Sequence, residues 1–342
     1  WRTFFGPLPN GYPYGDAAPQ VIGQIGPTQA QYDRIVRNEQ PLPNQLAGYQ
    51  PGDRKGLWGI EYMFEDYLRG TRGWQQRDIE GEIIKKLEQE PGKDVVLTLD
   101  IELQRQVQKL LAGYSSVGRE VTGGAVVIDV NSGEILALAS MPGFDLDRFY
   151  EKGVYSTIWP DVEPAPLRTP LTNLAISWNY QSGSTIKPTN LLGGLEYGVI
   201  DSETMFYVDS NSRDWEQGPK DIHVFGDIDI ISAIRRSSNF FPIKTVEMVG
   251  PERAISWLKL CGFGRRILAW PDELTSSRSW FSFRETAGYV SPIGTEYPSM
   301  TDLRFAAIGR GPISCSVLQI ANSMATISRK GKFLAPTLLK YP

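Results

Sequence analysis

The strongest pattern of apolar positions lies in two runs, Gly124 to Val130 and Glu134 to Ser140, separated by Asn131-Ser132-Gly133. Asn, Ser and Gly accept the tight backbone of a turn, so the pair predicts a β-hairpin. Both runs are almost continuously apolar, which predicts a hairpin central in a sheet and covered by helices. Val95 to Leu99 predicts a short strand ahead of it, and Lys332 to Leu338 resembles a returning strand. Asp100 stands as the N-cap of a helix carrying Leu103, Val107, Leu110 and Leu111 on one stripe. Further helices are predicted from Ser184 to Tyr197, Asp227 to Arg236 and Pro251 to Leu260, with helices or buried runs at Leu303 to Ile308 and Val317 to Ile327. The sum is an antiparallel α+β domain from about residue 93.

The pattern is weaker before that point. Residues 1 to about 50 are rich in Pro, Gly, Gln and Asn, with strand-like pieces such as Gln20 to Gly26. They read as loop-rich structure leaning on something else. Gly56 to Gly70 predicts a helix, with Ile60, Phe64 and Tyr67 on one face and Gly70 as its cap. Ile79 to Glu90 is charged and either helical or extended, and Pro91-Gly92 marks a break. We therefore expect an accessory region over 1–92 and the α+β domain over 93–342. Residues 141 to 172 are Pro-rich and read as an irregular wrap.

Composition narrows the function classes. A chain of 342 residues with 41% hydrophobic and 22% charged residues has room for two domains with real cores. Net charge is −4 with a pI near 5.3, and no basic cluster is present, so nucleic acid is not an expected partner. One histidine, His223, and two cysteines, Cys261 and Cys315, are too few for the usual His/Cys metal site. The cysteines read as small buried thiols. No apolar run reaches the roughly 18–20 residues of a spanning helix. The chain starts at Trp1 and stops at Pro342, and both ends read as cut. Any anchor is expected outside it.

One stretch carries candidate chemistry. Gln181-Ser182-Gly183-Ser184-Thr185-Ile186-Lys187-Pro188 sets a serine and a lysine three residues apart, on one face if Ser184 opens a helix. A hydroxyl is a poor nucleophile until a base takes its proton. Lys187 serves only when neutral, so its ordinary pKa of about 10.4 must fall towards 7. Burial or a second cation would lower it. The spacing alone is common: Ser256-Trp257-Leu258-Lys259 repeats it on a plain amphipathic helix. Ser237-Ser238-Asn239 is a second candidate, a cap or turn on the bland reading and a proton relay with an amide grip on the functional one. Ser177-Trp178-Asn179 shows that this pattern too is common. His223 has no evident nucleophile partner and reads as structural or surface. Asp129, Glu134, Asp145 and Asp147 form no evident acid/base pair. Gly262-Phe263-Gly264 and Gly309-Arg310-Gly311 read as turns rather than phosphate loops.

Together these pieces resemble a class B penicillin-binding protein, a membrane-anchored peptidoglycan D,D-transpeptidase. Ser184-Thr185-Ile186-Lys187 is similar to the family's S-x-x-K motif, and Ser237-Ser238-Asn239 to its second motif. Tyr12 to Gly15, Val21 to Gly23 and Gly56 to Gly70 resemble its N-terminal pedestal, and Gly124 to Pro142 its opening hairpin. Arg168 to Ile176 resembles the approach to the serine, and Ile308 to Gln319 the helix before the last motif. Three departures stand out. Ser182 occupies a usual Pro, Cys315-Ser316 a usual Thr-Pro, and no Lys-Thr-Gly occurs, a motif expected beyond the point where the chain stops.

The resemblance implies a penicillin-binding, serine-β-lactamase-like transpeptidase domain of antiparallel sheet flanked by helices, preceded by a loop-rich pedestal of the dimerisation type. Ser184 would be acylated by the D-Ala-D-Ala end of a stem peptide or by a β-lactam. Lys187 would be the base, Ser237 the proton relay and Asn239 the holder of the substrate amide. The Ser184 N–H would give half of an oxyanion hole. No metal or organic cofactor is implied. A single N-terminal anchor in the inner membrane, an extracytoplasmic catalytic domain and a membrane glycosyltransferase partner are implied too. The alternative is a catalytically inactive homologue serving as scaffold or β-lactam sensor.

Overall fold

Asp100 begins the best-defined part of the fold: its carboxylate accepts the Leu103 N–H at 3.0 Å and starts a helix over Ile101–Gly113. The computed structural model describes residues 11–27, 53–113, 122–149, 170–209, 221, 223–271 and 283–340. Most of the expected loop-rich N-terminus and residues 150–169 of the expected wrap, with Arg168, lie outside these. The elements run α1 (Pro19–Ile22), β1 (Ile25–Pro27), β2 (Arg54–Gly56), α2 (Gly59–Met63), α3 (Glu65–Arg69), β3 (Trp74–Arg77), β4 (Ile83–Leu87) and α4 (Ile101–Gly113). Then come β5 (Gly123–Ile128), β6 (Ile135–Met141), α5 (Lys187–Glu196), β7 (Phe206–Val208), β8 (Gly226–Ile228) and α6 (Ile230–Arg235). The last are α7 (Phe240–Val249), α8 (Pro251–Leu260), α9 (Met300–Ala307) and α10 (Val317–Ser328). The architecture is α+β.

The hairpin forms as expected, with β5 antiparallel to β6 and a register shift at Val127/Ile128. Its turn is held by Asp129, which accepts the N–H groups of Asn131 and Ser132 at 2.9 and 2.8 Å. Those bonds hold the Asp129 carboxyl below its ordinary pKa and give it a structural task. Among the described residues the hairpin sheet has two strands, not the wider sheet expected. Helices explain its apolar runs: α4 packs on β6 and α10 on β5. The expected strands over 95–99 and 332–338 reduce to single bridges, Leu97 to Leu339 and Thr337 to Glu134 and Ala269. Thr98 still ties them together, its hydroxyl donating to Ile135 O at 2.7 Å and Thr337 O at 3.1 Å.

Three local readings change. Gln20 to Gly26 starts as a helical turn rather than a strand, because Pro19 opens α1 and the buried Gln20 amide donates to Pro142 O and Pro170 O. Gly56 to Gly70 holds two short helices that meet at Phe64, while the buried Glu65 turns to accept the Gly56 N–H at 2.6 Å. On α4 the fully buried residue is Gln104 and Leu110 is exposed. Gln104 earns its place by bonding the Leu138 N–H at 2.7 Å and donating to Leu138 O at 3.1 Å. Ile79 to Glu90 takes the extended alternative, as β4 pairs with β3.

One apolar core joins the two ends of the chain. Ala18, Val21, Ile60 and Met63 pack in the same cluster as Ile135, Leu138 and Leu338. Helices α1 and α2 thus share their core with the hairpin. The helices form the other half, with α5 touching α6, α7, α8 and α10. Among the described residues no helix is long and apolar enough to cross a membrane.

Candidate active site

The Ser184 stretch does not start as an α-helix. Gly183–Ile186 forms a 3₁₀ turn, and α5 follows from Lys187 with Pro188 in its first turn, where a missing N–H costs nothing. The turn exposes Ser184, while Ile186 is buried against Ile255 and Leu258. Lys187 points inward and is only 3% exposed.

The turn is pinned from the far side. Gly183 N–H donates to Gly309 O at 3.0 Å, and Gly309 adopts φ +72°. A Cβ at Gly309 would lie 2.2 Å from Gly183 O, so only glycine allows this approach. Gly309-Arg310-Gly311 is a turn as expected, and its task is to buttress the serine.

The second motif follows the C-terminus of α6. Ser238 N–H reaches Ala233 O at 2.9 Å and Ser237 N–H reaches Ile234 O at 3.1 Å, the two bonds of a Schellman motif. That motif needs a left-handed residue, and Ser237 supplies it with φ +55°. Its hydroxyl and carbonyl therefore face Lys187. Lys187 Nζ donates to Ser237 O at 2.7 Å, Ser237 Oγ at 3.1 Å and Asn239 Oδ1 at 2.7 Å. Three of the four residues singled out in the sequence thus meet directly. Ser184 lies in the 3₁₀ turn that leads into α5, on the exposed side.

A buried ammonium is costly, and burial lowers the Lys187 pKa from 10.5 to about 8. Asp221 opposes the shift, and the Arg310 guanidinium adds to it. At neutral pH a usable fraction of Lys187, about one part in ten, is the free amine.

Asp221 escaped the sequence reading, being one carboxylate among many. It is buried and accepts Ser238 Oγ at 2.6 Å, Asn239 N–H at 2.7 Å and Phe240 N–H at 3.0 Å. The other candidates stay apart. Ser256 and Lys259 are both exposed on α8, whose Trp257 donates to Thr189 O at 2.7 Å. Ser177 donates to Phe283 O, Asn179 accepts from Thr286, and exposed His223 lies beside Phe225. Among the described residues no group of three His, Cys, Asp or Glu side chains is placed to hold a metal ion.

Residues 123–341 match the penicillin-binding protein transpeptidase domain, and residues 11–97 match the penicillin-binding protein dimerisation domain. The chain belongs to the penicillin-binding protein transpeptidase family. The peptidoglycan D,D-transpeptidase MrdA of Haemophilus influenzae is 28% identical over 348 residues, covering 96% of this chain and 49% of that protein. The chain thus spans about half the length of that relative. Pseudomonas aeruginosa PBP2, solved in complex with WCK 5153, superposes with a TM-score of 0.71 at 23% identity, over 96% of this chain and 66% of that one. A chain from a peptidoglycan synthase complex that coordinates polymerization and crosslinking superposes with a TM-score of 0.67 at 27% identity, over 96% and 57%.

Two departures from the family's usual residues lie together in this penicillin-binding protein. The segment of Tyr180 bridges that of Cys315, with N–H···O bonds of 2.8 and 2.9 Å. The buried Ser182 hydroxyl makes no well-formed hydrogen bond, yet lies close enough to the Cys315 thiol to favour its thiolate slightly. Burial dominates and pushes the Cys315 pKa to about 12. Ser316 caps α10 in a capping box with Gln319, so a serine there is structurally apt.

Proposed function

We propose that this chain is the acyl-transfer part of a class B penicillin-binding protein that cross-links peptidoglycan stem peptides through an acyl-enzyme at Ser184. The observation that carries the reading is the buried Lys187, bonded to both Ser237 and Asn239 behind an exposed serine, in a chain of this family. Neutral Lys187 takes the Ser184 proton as Oγ attacks the carbonyl of the penultimate D-Ala. The tetrahedral oxyanion leans on the Ser184 N–H. As the C–N bond breaks, Ser237 passes a proton to the departing D-Ala amine, replenished from Lys187 at 3.1 Å. Asn239 holds the substrate amide. An amine of a neighbouring stem peptide then attacks the ester, and Ser184 recovers its proton. A β-lactam enters the same first step. The reaction needs no metal or organic cofactor.

We further propose that the chain divides at 92/93 into a pedestal and a transpeptidase domain. We place it outside the cytoplasm, tethered to the inner membrane by a single N-terminal anchor beyond this sequence. A membrane glycosyltransferase is its proposed partner, a pairing supported by its likeness to a subunit of a complex joining polymerization to crosslinking.

The test is turnover. The full-length protein, given a stem peptide ending in D-Ala-D-Ala and an amine acceptor, should release D-Ala and form the new amide. A folded protein that releases none serves as a scaffold or sensor instead.

A further inference from the structure

Asn239 holds the N-cap position of α7 but does not cap it with its side chain. Asparagine is among the best N-cap residues, and the usual bond runs from its own side chain to the first turn. Here Asn239 Oδ1 instead accepts from Lys187 at 2.7 Å. The capping bond comes from Asp221, a residue 18 positions upstream on a different segment. Its carboxylate takes the Asn239 and Phe240 N–H groups and the Ser238 hydroxyl, all within 3.0 Å. Ser238 is fully buried, so this grip sits beneath the motif.

We propose that Asp221 is a positioning residue of the acyl-transfer site, capping α7 in place of Asn239 and so holding Ser237 and Asn239 against Lys187. The inference rests on the acyl-transfer reading of the site. The carboxylate also places a negative charge near a buried ammonium, where it favours the protonated form, while Arg310 favours the amine. Among the described residues these two charged side chains bear on Lys187. Asp221 thus trades free amine for order: it steadies the loop and keeps more of Lys187 protonated.

The test is acylation of the full-length protein by a fluorescent penicillin, with second-order rates followed across neutral and alkaline pH. Asp221→Asn is expected to acylate on the order of 10- to 100-fold more slowly, the usual penalty for a small misplacement of reacting groups. The acidic limb of its profile is expected at lower pH, because the charge that favours the Lys187 ammonium is gone. A folded Asp221→Asn with the wild-type rate overturns the proposal. Slow acylation with an unmoved or raised limb also overturns it, since that marks a merely structural role. If Asp221→Asn does not fold, Ser238→Ala decides, as it removes one donor to the carboxylate and keeps the charge. Several-fold slower acylation with an unmoved limb supports the proposal, and unchanged acylation overturns it. A folded wild type that takes up no penicillin sinks the acyl-transfer reading, and this inference with it. Wild-type labelling alongside unaffected variants overturns this inference alone.

Discussion

Lys187 Nζ donates to Asn239 Oδ1 at 2.7 Å, at one end of the contact between α5 and α7. That bond joins the start of α5 to the start of α7. The lysine pKa is lowered to about 8, chiefly by burial. The free amine is the base, so it gains above that pH and is lost below it. Acylation by penicillin should rise with pH, close to tenfold per pH unit well below 8, and level off above it. A rate that is flat or falling through this range contradicts Lys187 as the base.

Ser237 keeps a left-handed backbone that glycine would adopt without strain. Ser237→Gly should therefore stabilise the fold by about 1 kcal/mol. The same change removes the hydroxyl 3.1 Å from Lys187 Nζ and should slow acylation on the order of 100-fold or more. Thermal melting and penicillin labelling, measured together, check this opposition. A variant that is both less stable and normally labelled runs against it.

Gly309 has no room for a methyl group. In Gly309→Ala the Cβ meets the Gly183 backbone at 2.2 and 2.4 Å and the φ of +72° is strained. We expect a loss of about 2–4 kcal/mol, read from denaturant unfolding, and a displaced serine turn that labels poorly. Wild-type stability would show that the turn does not lean on residue 309.

Both cysteines are buried and unpaired, and burial pushes each thiol pKa to about 12. Thiolate is scarce at neutral pH, so a thiol reagent should label neither in the native protein and both after unfolding. Fast native labelling of Cys315 would mean that the segment beside Ser182 opens.

The features legible in the sequence are those set by near neighbours. Asp100 caps its own helix, Pro251 opens α8, and the Asn131-Ser132-Gly133 turn folds on Asp129. Ser184, Lys187, Ser237 and Asn239 were legible through motif resemblance, because each motif is local. What stayed hidden depends on partners far along the chain. Gln104 breaks the apolar stripe of α4 because Leu138, 34 residues on, offers it both halves of a peptide group. Glu65 interrupts a helix to reach Gly56. Asp221 has no local signature, since its value comes from α7 folding back onto it. The segments over 95–99 and 332–338 looked like strands because they are extended and apolar, yet they meet at single bridges rather than along a ladder.

The central claim is that Ser184 is the nucleophile. Incubating the full-length protein with penicillin and mapping the adduct by mass spectrometry tests it most directly. Ser184 is exposed, so Ser184→Ala should keep stability within about 0.5 kcal/mol. We predict one covalent penicilloyl group on the peptide containing Ser184, absent from Ser184→Ala. An adduct that persists in Ser184→Ala, or none on the folded wild type, would contradict the account.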